Sequence, residues 1–382
     1  MASSVGSPPE NPPTGRSGSV GRPAAARSAI ARCRRNTAPV GWATVTTMSF
    51  IRTNLHNGVG EVILDRPQAL NALDQSMIDE LHSVLAEWGD DDTVQTVLVT
   101  SSSDRSFCAG GDIRAIREHS LAGESDAITH YFSTEYRLDQ MVANYPKPYV
   151  ALIDGAAMGG GLGISVHGEV RVVTERAVIA MPETAIGFFP DIGASYFLPR
   201  LPEGVGMWMG LTGARVRGAD AVGLGLATHF VPSASIAEVA QRIRHGEPLG
   251  AVLRAFGDLP ASDIPLRKIG EYFADDNVTA IDGGLRGAVG DDWAEEMVAL
   301  LDHASPTSLW VTAAMITAGA RSTLDECFDR ELHAAQQITA TDDFAEGVRA
   351  VLVDKDRAPR FQPASIADVD PELVARIVGD PS

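Results

Sequence analysis

From Phe50 onward, short runs suited to β-strands alternate with longer stretches of helical period, and this alternation restricts the chain to strands joined by helical crossovers. GEVILDRP (60–67) and TVLVTSS (96–102) read as strands, and YVALIDG (149–155) and VRVVT (170–174) as buried ones. Between the first two, Met77, Ile78, Leu81, Val84, Leu85 and Trp88 recur at helical spacing behind Asp74, a candidate N-cap. A second helix is predicted over 127–142. Strands separated by helices imply βαβ units and a mainly parallel sheet. After about residue 203 the strand signal fades, and 236–244, 293–303, 309–318 and 324–338 read as helices. The pattern divides the chain into an N-terminal segment (1–47), an α/β core (48–235) and a mainly helical C-terminal region (236–382). No repeat of solenoid period occurs.

Composition narrows the function classes. With 382 residues, 45% of them hydrophobic, the chain can bury a large core. A net charge of −19 lacks the basic footprint that nucleic-acid phosphates require, so no nucleic-acid partner is expected. No apolar run reaches the length of a membrane span, so no membrane partner is expected either. Three cysteines, Cys33, Cys108 and Cys327, form no CxxC pair, which fits a reducing compartment and supports neither a disulfide framework nor a thiolate zinc site. Residues 1–47 are rich in Ser, Gly, Pro and Arg with Glu10 as their one acid, and are expected to be disordered. That composition fits an unfolded extension of a cytoplasmic protein, and it also fits a transit peptide, which would send the chain to the mitochondrial matrix.

GxSxG, GxGxxG, the P-loop and HExxH are all absent. The nine histidines show no ligand spacing, so no metal site is expected. His167 reads as a packing or turn-capping residue and Cys108 as a small buried hydrophobe. Carboxylates and backbone amides remain. MPETAIGFFPDIG (181–193) sets Glu183 and Asp191 each directly after a proline, at either end of an apolar run. Two glycine-rich loops, FCAGGD (107–112) and MGGGLG (158–163), follow predicted strands, and the second opens a predicted helix. Glycine there lets the backbone approach a ligand closely, and paired N–H groups can form an oxyanion hole. Read singly, each loop could equally be a tight turn, PE the start of a helix and PD a type I turn.

Further motifs carry a resemblance. LDRPQALNAL (64–73), SFCAGGDIR (106–114), KPYVALIDGAAMGGGLGISVHGE (147–169), MPETAIGFFPDIGASYFLPRL (181–201), LTGARVRGADAVGLGLATHFV (211–231), SPTSL (305–309) and DFAEGVRAVLVDKDRAPRF (343–361) resemble the crotonase (enoyl-CoA hydratase/isomerase) superfamily, and within it the 3-hydroxyisobutyryl-CoA hydrolase branch. The resemblance implies an α/β spiral of ββα units with a largely helical C-terminal region. It places the N–H groups of Gly111 and Gly160 on a thioester carbonyl. It makes Glu183 the group that attacks the carbonyl or activates water, and Asp191 the group that handles the proton of the leaving thiolate. Glu135 falls where the family contacts substrate, at its hydroxyl end. Gln68, Ala69, Leu70 and Ala109 fall where it holds CoA, with Lys147 and Arg105 as candidates for the phosphates. Asp112 is expected to be structural, fixing the start of the helix beside Gly111. Hydratases of this family place a second glutamate three residues after the middle glycine; here that position is Gly163.

The implied substrate is an acyl-CoA, with 3-hydroxyisobutyryl-CoA of valine breakdown the best fit. No cofactor is expected, since CoA is part of the substrate. Trimers, or pairs of trimers, are common in the superfamily, so self-association is open. Two alternatives stand beside hydrolysis: an enoyl-CoA hydratase or isomerase, which Gly163 argues against, and a CoA-binding protein without turnover, which the joint presence of both loops and both acids argues against. The eight residues from Glu183 to Asp191 span up to roughly 26 to 29 Å if extended, so a shared site requires the chain between them to fold back.

Overall fold

The computed structural model describes residues 49–256 and 259–379; the reading of residues 1–47 lies outside them. Two sheets form. The larger has the order β1-β2-β3-β5-β7-β10, built from Ile51–His56, Val59–Leu64, Thr96–Ser101, Tyr149–Ile153, Val170–Val173 and His229–Phe230. β1 and β2 pair antiparallel and every other pair in it is parallel. All four predicted strands are here. The smaller sheet, β4-β6-β8-β9, uses Ser106–Cys108, Ala156–Met158, Val178–Ala180 and Val216–Arg217.

That second sheet corrects the βαβ reading. β3 runs into β4, β5 into β6 and β7 into β8 before a helix intervenes, so the repeating unit is ββα and the fold is the crotonase spiral. Strands of two or three residues are too short to display a period of two, which is why only the longer partner of each pair is visible in the sequence.

The predicted helices form. Asp74 caps Gln75–Asp90 by accepting from the Met77 N–H at 3.0 Å, a contact worth about 1 kcal/mol. Its apolar stripe, from Met77 to Trp88, is buried in the main core. The second helix is longer than predicted, Ser125–Ala143. After residue 235 the described residues hold helices and no strand, among them Asp292–Asp302, Pro306–Gly319 and Leu324–Ile338. Every residue of β5 is buried because both faces of the sheet are covered. Val150 and Leu152 pack under Val239, Ile243 and Val252, while Tyr149, Ala151 and Ile153 join the main core, which extends from Ile51 to Val378 and so includes the C-terminal helices. No helix among the described residues is long and apolar enough to cross a membrane.

Candidate active site

The short second strand of each unit sets the two glycine loops side by side. β4 and β6 pair in parallel, so the turns that follow them, at Gly110–Gly111 and Gly159–Gly160, come out at the same edge. Leu73 bridges around Gly111, donating to Gly110 O and accepting from Asp112 N, both at 2.8 Å, which leaves the Gly111 N–H without a carbonyl partner. Gly160 opens the helix Gly160–Val166, where the first N–H has no intrahelical acceptor. A Cβ built on Gly160 would lie 3.3 Å from Gly111 N, so the two free N–H groups are neighbours.

The chain between the two acids does fold back. Glu183–Ile186 is a single 3₁₀ turn closed by Gly187 in the left-handed region, with the Phe188 N–H donating to Glu183 O at 3.1 Å. Thr184 ties the turn down through Leu211 O and the Ser305 N–H. Glu183 and Asp191 are thereby 8% and 5% exposed on one cavity of about 1090 Å³. Gly111, Gly160, Glu135, Gln68, Ala69, Leu70 and Ala109 line the same cavity, so the residues singled out for catalysis, substrate and CoA meet there, apart from the two phosphate candidates.

Each acid has a distinct setting. Glu183 Oε1 lies 2.8 Å from where a Cβ on Gly159 would be, beside the free N–H groups, and its Oε2 has no partner. Asp191 Oδ2 accepts a 2.7 Å hydrogen bond from the Tyr136 hydroxyl. Glu135, the residue before Tyr136, is 3% exposed, and its unpartnered Oε1 lies against the α-carbon of Gly160. Burial pushes Glu183 and Glu135 well above the usual carboxyl range, and the charge of Asp191 adds to both. Burial raises Asp191 to about 7 while the Tyr136 hydrogen bond pulls the other way. Buried carboxyls that raise one another resist ionising together, so one can serve as base while another serves as acid.

Some assignments are corrected. Lys147 does not face the cavity; its Nζ donates to the carbonyls of Trp88 and Asp91, tying the end of a helix to the start of β5. Arg105 is exposed and off the cavity wall. The arginine and lysine residues on that wall are Arg66, Arg114, Arg215 and Lys355. Arg66 is already held by Asp112 at 3.0 Å and by Ala72 O at 2.8 Å. Asp112 is therefore structural as expected, through this ion pair and not by capping its helix. Cys108 is fully buried, with its thiol on Asn71 O and pushed up to about 12 by burial, which suits packing and not nucleophilic attack. His167 packs between Phe197 and Phe328 and donates through Nε2 to Ile192 O. Among the described residues no three His, Cys, Asp or Glu side chains group to hold a metal ion.

Two functional neighbours have no local sequence signal. Tyr136 is one; a helix tyrosine reads as core. The other is Asp139, one turn after Glu135, fully buried, with neither carboxyl oxygen bonded. A Cβ on Gly163 would lie 2.5 and 2.7 Å from the Asp139 oxygens. The carboxyl fills the space that a side chain at 163 would enter, yet it is absent from the cavity wall.

A ββα spiral with paired free amides over a buried acid pair defines a crotonase-type acyl-CoA enzyme. The chain belongs to the enoyl-CoA hydratase/isomerase family, whose model matches residues 59–378. It is 39% identical over 331 residues to the 3-hydroxyisobutyryl-CoA hydrolase, mitochondrial, of Gallus gallus, covering 83% of this chain and 85% of that one. A structure described as an enoyl-CoA hydratase from Rhodobacter sphaeroides superposes with a TM-score of 0.81 at 34% identity, covering 86% and 97% of the two chains. One described as a carnitinyl-CoA dehydratase from Mycobacterium thermoresistibile gives 0.82 at 36%, covering 87% and 96%. The relatives carry different reactions on one fold, so the choice of reaction rests on the site itself.

Proposed function

We propose that the protein hydrolyses a short β-hydroxyacyl-CoA thioester, 3-hydroxyisobutyryl-CoA being the best fit, to the hydroxy acid and free CoA. The observation that carries this reading is the sealing of Asp139. Adding water across a double bond in this family calls for a second cavity-facing carboxylate from position 163, and here that position is glycine, backed by an acid with no access to the cavity. Among the acids on the cavity wall, Glu183 beside the free amides and Asp191 on the Tyr136 hydroxyl supply the base and acid of a thioester hydrolysis.

The thioester oxygen accepts from the Gly111 and Gly160 N–H groups, and each such donor is worth about 2.7 to 4 kcal/mol of barrier. In the reactive protonation state Glu183 is ionised and, beside those amides, attacks the carbonyl carbon directly or takes a proton from the attacking water. The tetrahedral adduct collapses with cleavage of the C–S bond, and Asp191, which carries the proton in that state, gives it to the departing sulfur. In the direct route, water then cleaves the acyl–Glu183 anhydride; in the water route the acid product is already formed. Both consume one water: in the direct route Asp191 takes the proton of the water that cleaves the anhydride, and in the water route the proton gained by Glu183 passes to Asp191 through product or solvent, so both carboxyls are restored. Glu135 accepts the substrate's hydroxyl. The backbone around Gln68, Ala69, Leu70 and Ala109 meets the CoA moiety, with Arg114, Arg215 and Lys355 in place of Lys147 and Arg105 at its phosphates. The chemistry calls on no further cofactor. The mitochondrial relatives support the matrix for a chain whose first 47 residues have transit-peptide composition; cytoplasm and matrix are both reducing.

The test is Glu183→Gln. Thiol release from 3-hydroxyisobutyryl-CoA is expected to fall by roughly three orders of magnitude or more, with the circular-dichroism melt and CoA affinity close to wild type. A folded variant with wild-type turnover removes Glu183 from the chemistry.

A further inference from the structure

The turn that carries Asp191 is strained and held in part from outside the α/β core. Ile192, a β-branched residue, sits in the left-handed region at φ 58°, followed by Gly193 at φ 78°. Such a backbone persists only where its surroundings impose it. Three contacts do so. Tyr136 holds the Asp191 carboxyl, and His167 holds the Ile192 carbonyl at 2.7 Å. The third comes from Glu331 on the helix Leu324–Ile338, more than 130 residues further along the chain.

Glu331 is fully buried and has no cationic partner among the described residues. Its Oε2 accepts the Gly193 N–H at 2.6 Å, and its Oε1 accepts both the N–H and the hydroxyl of Ser195, at 2.9 and 2.6 Å. A buried carboxyl without a counter-ion is costly, yet three donors converging on both oxygens need a group that accepts on each, which an amide cannot do. Phe328, one turn earlier on the same helix, packs its ring on Tyr136 and on His167, the two other residues that grip the turn. A Cβ at Gly193 would strike the His167 ring at 2.8 Å and Phe328 at 3.1 Å, so the turn fits this clamp closely.

We propose that Glu331 is the positioning residue of Asp191: by binding the 193–195 backbone it fixes the turn that aims the Asp191 carboxyl at the leaving sulfur. The kinetic part of this proposal rests on the hydrolase reading; the structural part does not. The experiment is a double-mutant cycle in thiol release with Glu331→Gln and Asp191→Asn. Glu331→Gln is expected to lower kcat between about ten- and a hundredfold, with KM held within about threefold of wild type, and to cost almost nothing further when Asp191 is already Asn. A packing role would move stability and cost the same factor on both backgrounds; that result, or wild-type kcat in the single variant, overturns the proposal. Should Glu331→Gln fail to fold, Ser195→Ala removes one of the three bonds and is expected to cost about two- to fivefold, again only with Asp191 present; an equal cost on both backgrounds, or none, overturns it. A crystal structure of whichever variant folds is the second readout, with the 2.7 Å Tyr136–Asp191 contact expected to be lost. If the wild type releases no thiol, the hydrolase reading fails by itself, and the presence or loss of that contact still decides the role of Glu331.

Discussion

Tyr136→Phe isolates one hydrogen bond at the proton-handling acid. The ring stays packed at 5.8 Å from Phe132 and 5.7 Å from Phe328, so only the hydroxyl that donates to Asp191 Oδ2 is lost. That bond stabilises the ionised carboxylate, and burial opposes it, leaving Asp191 at about 7. A hydrogen bond to a charged group is worth about 1.5 to 3 kcal/mol, and 1.36 kcal/mol is one pKa unit, so the variant's Asp191 is expected roughly one to two units higher. Because the reactive state needs Asp191 protonated while Glu183, held higher, is ionised, kcat/KM of the wild type rises with pH up to about 7, where Asp191 begins to ionise, and levels off there. In Tyr136→Phe the same break is expected at about 8 to 9 by that arithmetic. The assay is the pH profile of thiol release for the two proteins side by side. A break that stays in place or moves to lower pH would refute the assignment of Asp191 as the acid.

The buried carboxyls make two further predictions. Burial raises Asp139 well above its ordinary 3.8, so the folded state holds this proton more tightly than the unfolded chain does. Its contribution is complete at low pH and is lost as pH rises above about 4 towards the folded value; Asp139→Asn should therefore melt higher than wild type at pH 9, by roughly 2 to 4 °C per kcal/mol gained, with the gap closing in acid. A variant that melts lower at pH 9 would show the acid to be ionised and stabilising. Gly163→Ala should destabilise by about 1 to 3 kcal/mol, because its Cβ meets the Asp139 carboxyl. Combined with Asp139→Ala, most of that cost should disappear in a denaturant cycle, and strict additivity would show that the two positions do not share this space.

The parts of this molecule that were legible in the sequence are those written over consecutive residues. Four strands of the large sheet, the Asp74-capped helix, both glycine loops and the PE and PD acids lie in unbroken motifs. The small sheet was not, because strands such as Val178–Ala180 carry too few residues for a period. Lys147 was misplaced because its partners, the Trp88 and Asp91 carbonyls, lie more than 50 residues away at the end of another helix. Tyr136, Asp139 and Glu331 share that character. Each sits on a helix whose pattern predicts a buried face, and only the tertiary fold shows which turn or glycine that face meets. Gly163 was informative as an absence; the carboxyl that fills its space comes from a different helix.

Hydrolysis against hydration is the claim on which the rest depends. The direct measurement incubates the purified protein with 3-hydroxyisobutyryl-CoA and, separately, with crotonyl-CoA, following thiol release in both and loss of enoyl absorbance in the second. The account predicts thiol release from the hydroxyacyl substrate alone and an unchanged enoyl signal. Loss of the enoyl absorbance without free thiol would contradict it and make the protein a hydratase, with Glu183 acting on water in a site where Gly163 is no obstacle.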